Sequence, residues 1–206
     1  MATGTDVVSF VRQSWAGLRV LLVLTVLLGV AYPLAVTGVA QLAMPWQANG
    51  SLVSSSGERV TSRGDAVGSV LVGQSFGGPQ WFHPRPSAAG DGYDTLASAG
   101  SNLGPLNADL VAAIEERRAT VAALEGVDPA DVPADALTAS GSGLDPDISP
   151  AYAHLQAARV AREHGVPVGS VEALVDRLTV GRDLGFLGEP RVNVLRLNLA
   201  LQTMGS

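Results

Sequence analysis

An uninterrupted apolar segment lies near the N-terminus of the chain. The segment Val20–Ala40 contains no charged residue, and none follows it until Glu58. As a helix, its 21 residues span roughly 32 Å, which matches a hydrocarbon core of about 30 Å. Because a cleaved signal peptide has only about 7–15 apolar residues, an uncleaved anchor is favoured over a signal sequence. The pattern predicts one transmembrane helix over residues 20–42.

The charges beside this segment indicate its orientation in a cell membrane. Arg12 and Arg19 precede it, and its other flank has no basic residue close by. Because cytoplasmic flanks of membrane helices carry an excess of basic residues, we expect residues 1–19 to form a short cytoplasmic N-terminus. The rest of the chain then lies outside the cytoplasm, as a linker over residues 43–66 and a domain over residues 67–206.

The domain after the linker mixes extended and helical spacing of apolar residues. We expect a mixed α+β (α/β) fold with a strand over Ser69–Phe76 and three helices, from Pro105 to Gly126, from Ser149 to Gly165 and from Ser170 to Gly181. The segment 192–201 leaves strand and helix both open, because its leucines alternate while Asn193 suits a helix cap.

Composition excludes several classes of function. The chain has no cysteine, which rules out disulfide scaffolds, thiolate metal sites and thiol catalysis. A net charge of −6 argues against a nucleic-acid partner, because binding to phosphates needs a basic surface. The three histidines lack the spacing of a shared metal site, and no phosphate-binding glycine loop is present. The residues by themselves therefore predict a membrane-anchored domain with no catalytic or metal site.

Six short motifs, in order along the chain, resemble the KdpC family, the C chain of the bacterial potassium-transporting ATPase. The resemblance runs from the apolar segment to the C-terminus. The motifs are YPLAVTGVAQLAMPWQANGSL, LVGQSF, WFHPRPSA, SNLGPLNADL, SGLDPDISPAYAHLQAARVA and GEPRVNVLRLNLAL. Any one of them is a weak signal, whereas six in the same order are specific.

The resemblance implies an accessory subunit of a high-affinity potassium uptake complex. Its partners would be a P-type subunit that hydrolyses ATP, a channel-like subunit that binds potassium, and a very small membrane peptide. ATP and potassium then act in the complex, and we expect no cofactor on this chain. The family is described as a catalytic chaperone that raises the ATP affinity of the hydrolysing subunit. In that proposal Gln74, in the LVGQ motif, contacts the nucleotide.

The orientation inferred from the arginines conflicts with direct nucleotide contact. It places Gln74 outside the cytoplasm, on the other side of a bilayer from the nucleotide site. We therefore expect the effect on ATP affinity to be allosteric. Arg85, Ser87 and Asn102 are candidates for loop-structuring or partner contacts. Two alternatives stay open: a filter at the potassium entrance of the channel-like subunit, and a stand-alone anchored enzyme of the cell envelope.

Overall fold

The computed structural model describes residues 4–204, with side chains from residue 7 onward. The chain divides into two compact units, one ending at Gly50 and one beginning at Ser51. Residues 51–66, expected as the last part of a linker over 43–66, therefore belong to the second unit. Ser51 and Val53 are each only 2% exposed there.

The first unit is a long helical segment with a π-helical turn inside it. Helix α1 spans Gly4–Val26, the π-helical turn spans Leu27–Ala31, and helix α2 spans Tyr32–Ala43. A short helix, α3, follows at Pro45–Ala48. The stretch Val7–Ala43 has the length and apolar composition needed to cross a membrane, so the long apolar helix extends beyond the predicted residues 20–42 at its N-terminal end.

The π-helical turn ends two residues before a proline, Pro33. Pro33 has no backbone N–H to donate to the carbonyl one turn earlier, and helices with such a gap are commonly kinked or wound differently there. Here the N–H of Tyr32 donates to the carbonyl of Leu27, five residues back. The wider turn therefore absorbs the local mismatch without ending the helix.

The second unit contains two small antiparallel sheets. Strands β1 (Leu52–Val53), β2 (Arg59–Val60) and β3 (Gly68–Ser69) form one sheet in the order β2-β1-β3, with Leu52 opposite both Val60 and Ser69. Strands β4 (Asp147–Ile148) and β5 (Val192–Asn193) form the other. Each strand is two residues long, so the sheets join segments and do not form a layer.

Helices supply most of the core of this unit. They are α4 (Ala108–Glu125), α5 (Ala134–Leu137), α6 (Pro150–His164), α7 (Val168–Leu178) and α8 (Val194–Gln202). Helix α6 packs against α7 and α4, and α7 packs against α8. Buried apolar side chains of these helices form one cluster that also includes Phe82, which is fully buried. The predicted mixture of helix and strand, following one long apolar helix along the chain, is confirmed.

The predicted strand over Ser69–Phe76 is wrong beyond its first residue. Only Ser69 pairs as a strand, in β3, and the chain turns directly after it. The N–H of Gly73 then donates to the carbonyl of Leu144 at 2.8 Å, outside any strand. The apolar β-branched composition had predicted a strand, but the backbone N–H groups of Val70, Val72 and Gly73 donate to three different places, the carbonyls of Ser51, Ser69 and Leu144.

Three helix boundaries moved relative to the sequence prediction. The first helix begins after Asn107, whose side-chain oxygen accepts from the backbone of Asp109 and Leu110, so Pro105 lies outside it. The helix predicted to start at Ser170 begins at Val168 and ends at Leu178.

The segment left open at 192–201 contains both structures. It starts as strand β5 and continues as helix α8, with Asn193 as the N-cap.

Candidate functional site

The loop over residues 79–83 crosses the second unit without a neighbouring strand. Side chains of α6 and α8 hold its backbone by hydrogen bonds. Gln156 of α6 accepts from the N–H of His83 at 2.7 Å and donates to the carbonyl of the same residue at 3.1 Å. Asn198 of α8 accepts from the N–H of Phe82 at 2.9 Å and donates to its carbonyl at 3.0 Å. Each side-chain amide thus bonds both the N–H and the carbonyl of one loop residue, as a neighbouring strand would. Both residues are at most 1% exposed.

A buried arginine completes the attachment of this loop. Arg159 of α6 donates through Nη1 to the carbonyls of Trp81, at 2.9 Å, and Pro79, and through Nη2 to Gln156 at 2.9 Å. Its Nε lies 3.0 Å from both carboxylate oxygens of Glu125, and both side chains are 1% exposed. Burial raises the pKa of Glu125 above its usual value, and the charge of Arg159 opposes that rise.

The three histidines are held separately. His83 donates through Nε2 to the carbonyl of Gly78 at 2.9 Å, and burial lowers its pKa below the usual value. His164 bonds the carbonyl of Gln80, and His154 lies 3.0 Å from Asp176. Within residues 4–204, no group of three or more His, Asp or Glu side chains is placed to hold a metal ion.

Arg85, one of the sequence-predicted site residues, pairs with an acidic side chain. Its Nη1 lies 2.9 Å from Asp145 and its Nη2 lies 3.4 Å from the carbonyl of Thr138. Its Nε is buried and has no hydrogen-bond partner in the structure. Asp145 in turn accepts from the N–H of Asp147 at 3.0 Å, at the start of β4. The guanidinium therefore ties the loop to the segment that precedes α6.

Ser87 closes a turn beside Arg85. Its hydroxyl donates to the carbonyl of Gly143 at 2.7 Å and accepts from the N–H of Tyr93 at 2.8 Å. The Tyr93 hydroxyl donates to the carbonyl of Arg85 at 2.7 Å, and burial raises the pKa of that phenol. Gly143 has a φ of +67°, and a Cβ there would come within 2.7 Å of the backbone N of Ala89. Ser87 and Arg85 thus share one loop network.

Gln74 lies close to this network, whereas Asn102 does not take part in it. The Gln74 side chain rests on Gly68, where a Cβ would approach its Nε2 to 1.8 Å. The neighbouring Gly73 packs between the Tyr93 ring and the backbone of Asp145, where a Cβ would come within 2.5 Å of both. Asn102 is exposed and adopts a φ of +54°. The structure brings Gln74, Arg85 and Ser87 into one region around Tyr93.

An acidic cleft opens beside this region, and each of its carboxylates is already engaged. It has a volume of about 450 Å³ and is lined by Asp135, Asp145, Asp147 and Glu189 together with Arg85 and Arg191. Asp135 accepts from both the N–H and the hydroxyl of Ser149. Asp147 accepts from Asn193 at 3.1 Å and lies 3.5 Å from Arg191, and burial raises its pKa. The arrangement orders loops through charge pairing.

Sequence reasoning missed the buried polar groups that hold the loop. The overlooked residues are Glu125, Gln156, Arg159 and Asn198. Gln156 and Arg159 lie on the face of α6 that also carries Ala153 and Val160, both fully buried. A polar side chain on an apolar helix face must find a buried partner, and that was the available signal.

Comparison with known proteins gives consistent matches over nearly the whole chain. The family model described as "K+-transporting ATPase, c chain" matches residues 14–203. The potassium-transporting ATPase KdpC subunit of Kineococcus radiotolerans is 56% identical over 195 residues, covering 95% of each chain. The corresponding subunit of Caulobacter vibrioides is 58% identical over 178 residues, covering 86% of each. That of Mycobacterium tuberculosis is 53% identical over 195 residues, covering 94% of this chain and 99% of the relative.

Proposed function

Because this chain belongs to the KdpC family, the c chain of the K+-transporting ATPase, we propose that it is the non-hydrolysing accessory subunit of an ATP-driven potassium uptake complex. The observation that carries the proposal is the family match over residues 14–203, which includes both the apolar helix and the folded unit. We do not propose a stand-alone envelope enzyme, because the matching relatives are named as ATPase subunits.

The proposal includes three partners and a placement in the membrane. The partners are a P-type subunit that hydrolyses ATP, a channel-like subunit that binds potassium, and a small membrane peptide. The apolar helix anchors the chain in the cell membrane with its N-terminus in the cytoplasm, as Arg12 and Arg19 favour. The folded unit then lies on the outer side of the membrane, away from the nucleotide.

Under this proposal the subunit supports assembly and raises ATP affinity without touching the nucleotide. Coupling between separated sites is a difference in binding free energy between two states of the complex, and it needs no shared contact. A local packing role is sufficient to explain a glutamine at position 74, because its side chain covers Gly68 in β3. We therefore assign Gln74 to the packing of its loop.

The test compares two glutamines in the assembled ATPase. Gln80 is a matched control, because its side chain also lies over a glycine, Gly78. We expect Gln74→Ala and Gln80→Ala to leave the ATP concentration for half-maximal hydrolysis within about twofold of the unmodified complex, a change under roughly 0.5 kcal/mol. A rise of about tenfold for Gln74→Ala alone, with assembly and potassium affinity unchanged, would instead count against a purely local role for Gln74.

A second candidate function, the potassium entrance filter, has one observation in its favour. The second unit carries 11 Arg against 18 Asp plus Glu, a net charge of −7. Such a charge concentrates cations near its surface, and added salt screens the effect over about 10 Å at 0.1 M. This alternative requires the apparent potassium affinity of the complex to fall as ionic strength rises while ATP affinity stays constant.

A further inference from the structure

A hairpin over residues 180–191 projects from the second unit, between α7 and β5. Val180 and Arg191 exchange backbone hydrogen bonds of 2.8 and 2.9 Å at its base. Asp183 and Leu187 exchange two more, both of 2.9 Å, near its end. The residues beyond this second pair form a tight turn. We refer to residues 184–187 as the hairpin tip.

The hairpin tip is apolar and exposed. Leu184 is 83% exposed, Phe186 is 69% exposed and Leu187 is 49% exposed. Single exposed apolar residues are common on protein surfaces, but three large ones within four residues form a patch. Apolar patches that project from a surface are characteristic of protein contacts, and phenylalanine is enriched in such contacts.

Ion pairs and a defined backbone turn also order the hairpin around its tip. Arg182 pairs with Glu189 at 2.5 Å, and Arg191 lies 3.4 Å from Asp183. Leu184 has a φ of +53°, a left-handed conformation that costs energy for a side chain with a Cβ. Strained conformations of this kind persist where surrounding bonds over-determine them, and they concentrate at functional positions. A preordered loop loses less conformational entropy on binding than a mobile one.

We propose that the hairpin tip is the surface by which the folded unit docks into an apolar pocket on another subunit of the same ATPase. The inference rests on the proposed function, because only a subunit has such a partner. The charges beside the tip support an uncharged pocket. Arg182 pairs with Glu189 and Arg191 with Asp183, so the rim is neutral as a whole.

Charge also argues against the two other occupants of an apolar tip. A lipid surface with anionic head groups repels a unit whose net charge is −7. A second copy of the unit carries the same charge, and the two would repel one another as well. An apolar pocket in a membrane subunit is not subject to either repulsion. It also removes the leucine and phenylalanine side chains from water.

The experiment uses the full chain, co-expressed with the other ATPase subunits and purified by its own tag in mild detergent. The test variant is Leu184→Ser with Phe186→Ser. The matched control is Leu96→Ser with Leu106→Ser, because these leucines are 96% and 95% exposed in loops elsewhere on the unit. They lie ten residues apart and outside any paired hairpin. The readout is the amount of each partner subunit recovered per tagged chain.

We expect the unmodified chain and the control to recover the partners equally, and the tip variant to recover about tenfold less. Equal recovery by the tip variant overturns the docking inference and leaves the subunit function intact. A similar loss in the control also overturns it, because exposure alone would then explain the result. Failure of the unmodified chain to recover any partner contradicts the proposed function itself.

Site-specific photo-crosslinking provides a second measurement that does not depend on weakened binding. A photoreactive amino acid replaces Phe186 in one chain and Leu96 in another, and intact cells are irradiated. We expect position 186 to crosslink to another ATPase subunit and position 96 to give no such product. A crosslink from position 186 to lipid alone, or to a second copy of this chain, overturns the inference.

Discussion

A guanidinium inside an apolar core is stable only when its charge and its donors are matched. Arg159 meets that requirement through Glu125 at the end of α4, the carbonyls of Trp81 and Pro79, and Gln156. These partners come from three separate segments of the chain. Removing one member of a buried ion pair leaves the other charged and unsolvated, which costs more than the pair contributes when intact.

We predict that Arg159→Met lowers the free energy of unfolding by about 3–5 kcal/mol, because Glu125 then remains buried without a counter-charge. The measurement is urea denaturation of the detergent-solubilised chain followed by tryptophan fluorescence. Arg162→Met is the matched control on the same helix, since that side chain is 67% exposed, and we expect it to change stability by less than about 0.5 kcal/mol.

A double variant separates the unpaired charge from lost packing. Adding Glu125→Gln to Arg159→Met removes the buried charge while keeping a side chain of similar size. We expect the double variant to recover part of the lost stability. Should Arg159→Met and Arg162→Met prove equally stable, the buried pair would not be holding the loop.

Helix α6 begins at a serine cap that is itself held by an acidic side chain. Ser149 accepts from the N–H of Tyr152 at 3.0 Å, and its own hydroxyl donates to Asp135 at 2.9 Å. Pro150 occupies the first helical position, where its missing N–H costs nothing. Helix α7 starts differently, after Pro167, with no side-chain cap, so Ser170 is an ordinary residue of its first turn.

We predict opposite results for two serines that both resemble helix starts in the sequence. Ser149→Ala removes an N-cap and should lower the free energy of unfolding by about 1 kcal/mol. Ser170→Ala should leave stability unchanged or raise it by a few tenths of a kcal/mol, because alanine is the better helix former. The same denaturation measurement applies to both. Equal destabilisation by the two changes would contradict the assignment of Ser149 as the cap.

Across the whole molecule, function depends on the side of the membrane that the folded unit occupies. A potassium filter requires the outer side, and direct contact between Gln74 and nucleotide requires the inner side. The absence of cysteine makes the question accessible to experiment, because a single introduced thiol is the only one in the chain.

We predict that Ser55→Cys, in an exposed turn before β2, reacts with a membrane-impermeant maleimide in intact cells. Ala2→Cys, ahead of the apolar helix, should react only after lysis, since the positive-inside rule places it in the cytoplasm. Labelling of both variants after lysis is the control for thiol reactivity. The reverse pattern in intact cells would place Gln74 on the nucleotide side.

The sequence indicated Arg85, Ser87 and Asn102 as candidates for loop-structuring or partner contacts, and their function stays a prediction. Arg85 and Ser87 take part in the loop network around Tyr93, as loop-structuring residues would, but their role toward a partner stays a prediction. Asn102 is exposed and lies outside that network. The buried amides were not predicted, because Gln156 and Asn198 find their partners 73 and 116 residues away along the chain.

Local chemistry by itself determined the long apolar helix and the capped start of α6. It also determined where α4 and α6 end, at Gly126 and Gly165, which adopt left-handed conformations. Such features depend on residues within one or two turns of one another, so a linear pattern contains them. Tertiary structure alone decided that LVGQSF is a loop and that Arg159 lies in the core. Both depend on which distant backbone groups come within hydrogen-bonding distance, and the great majority of buried polar groups in folded proteins have such a partner.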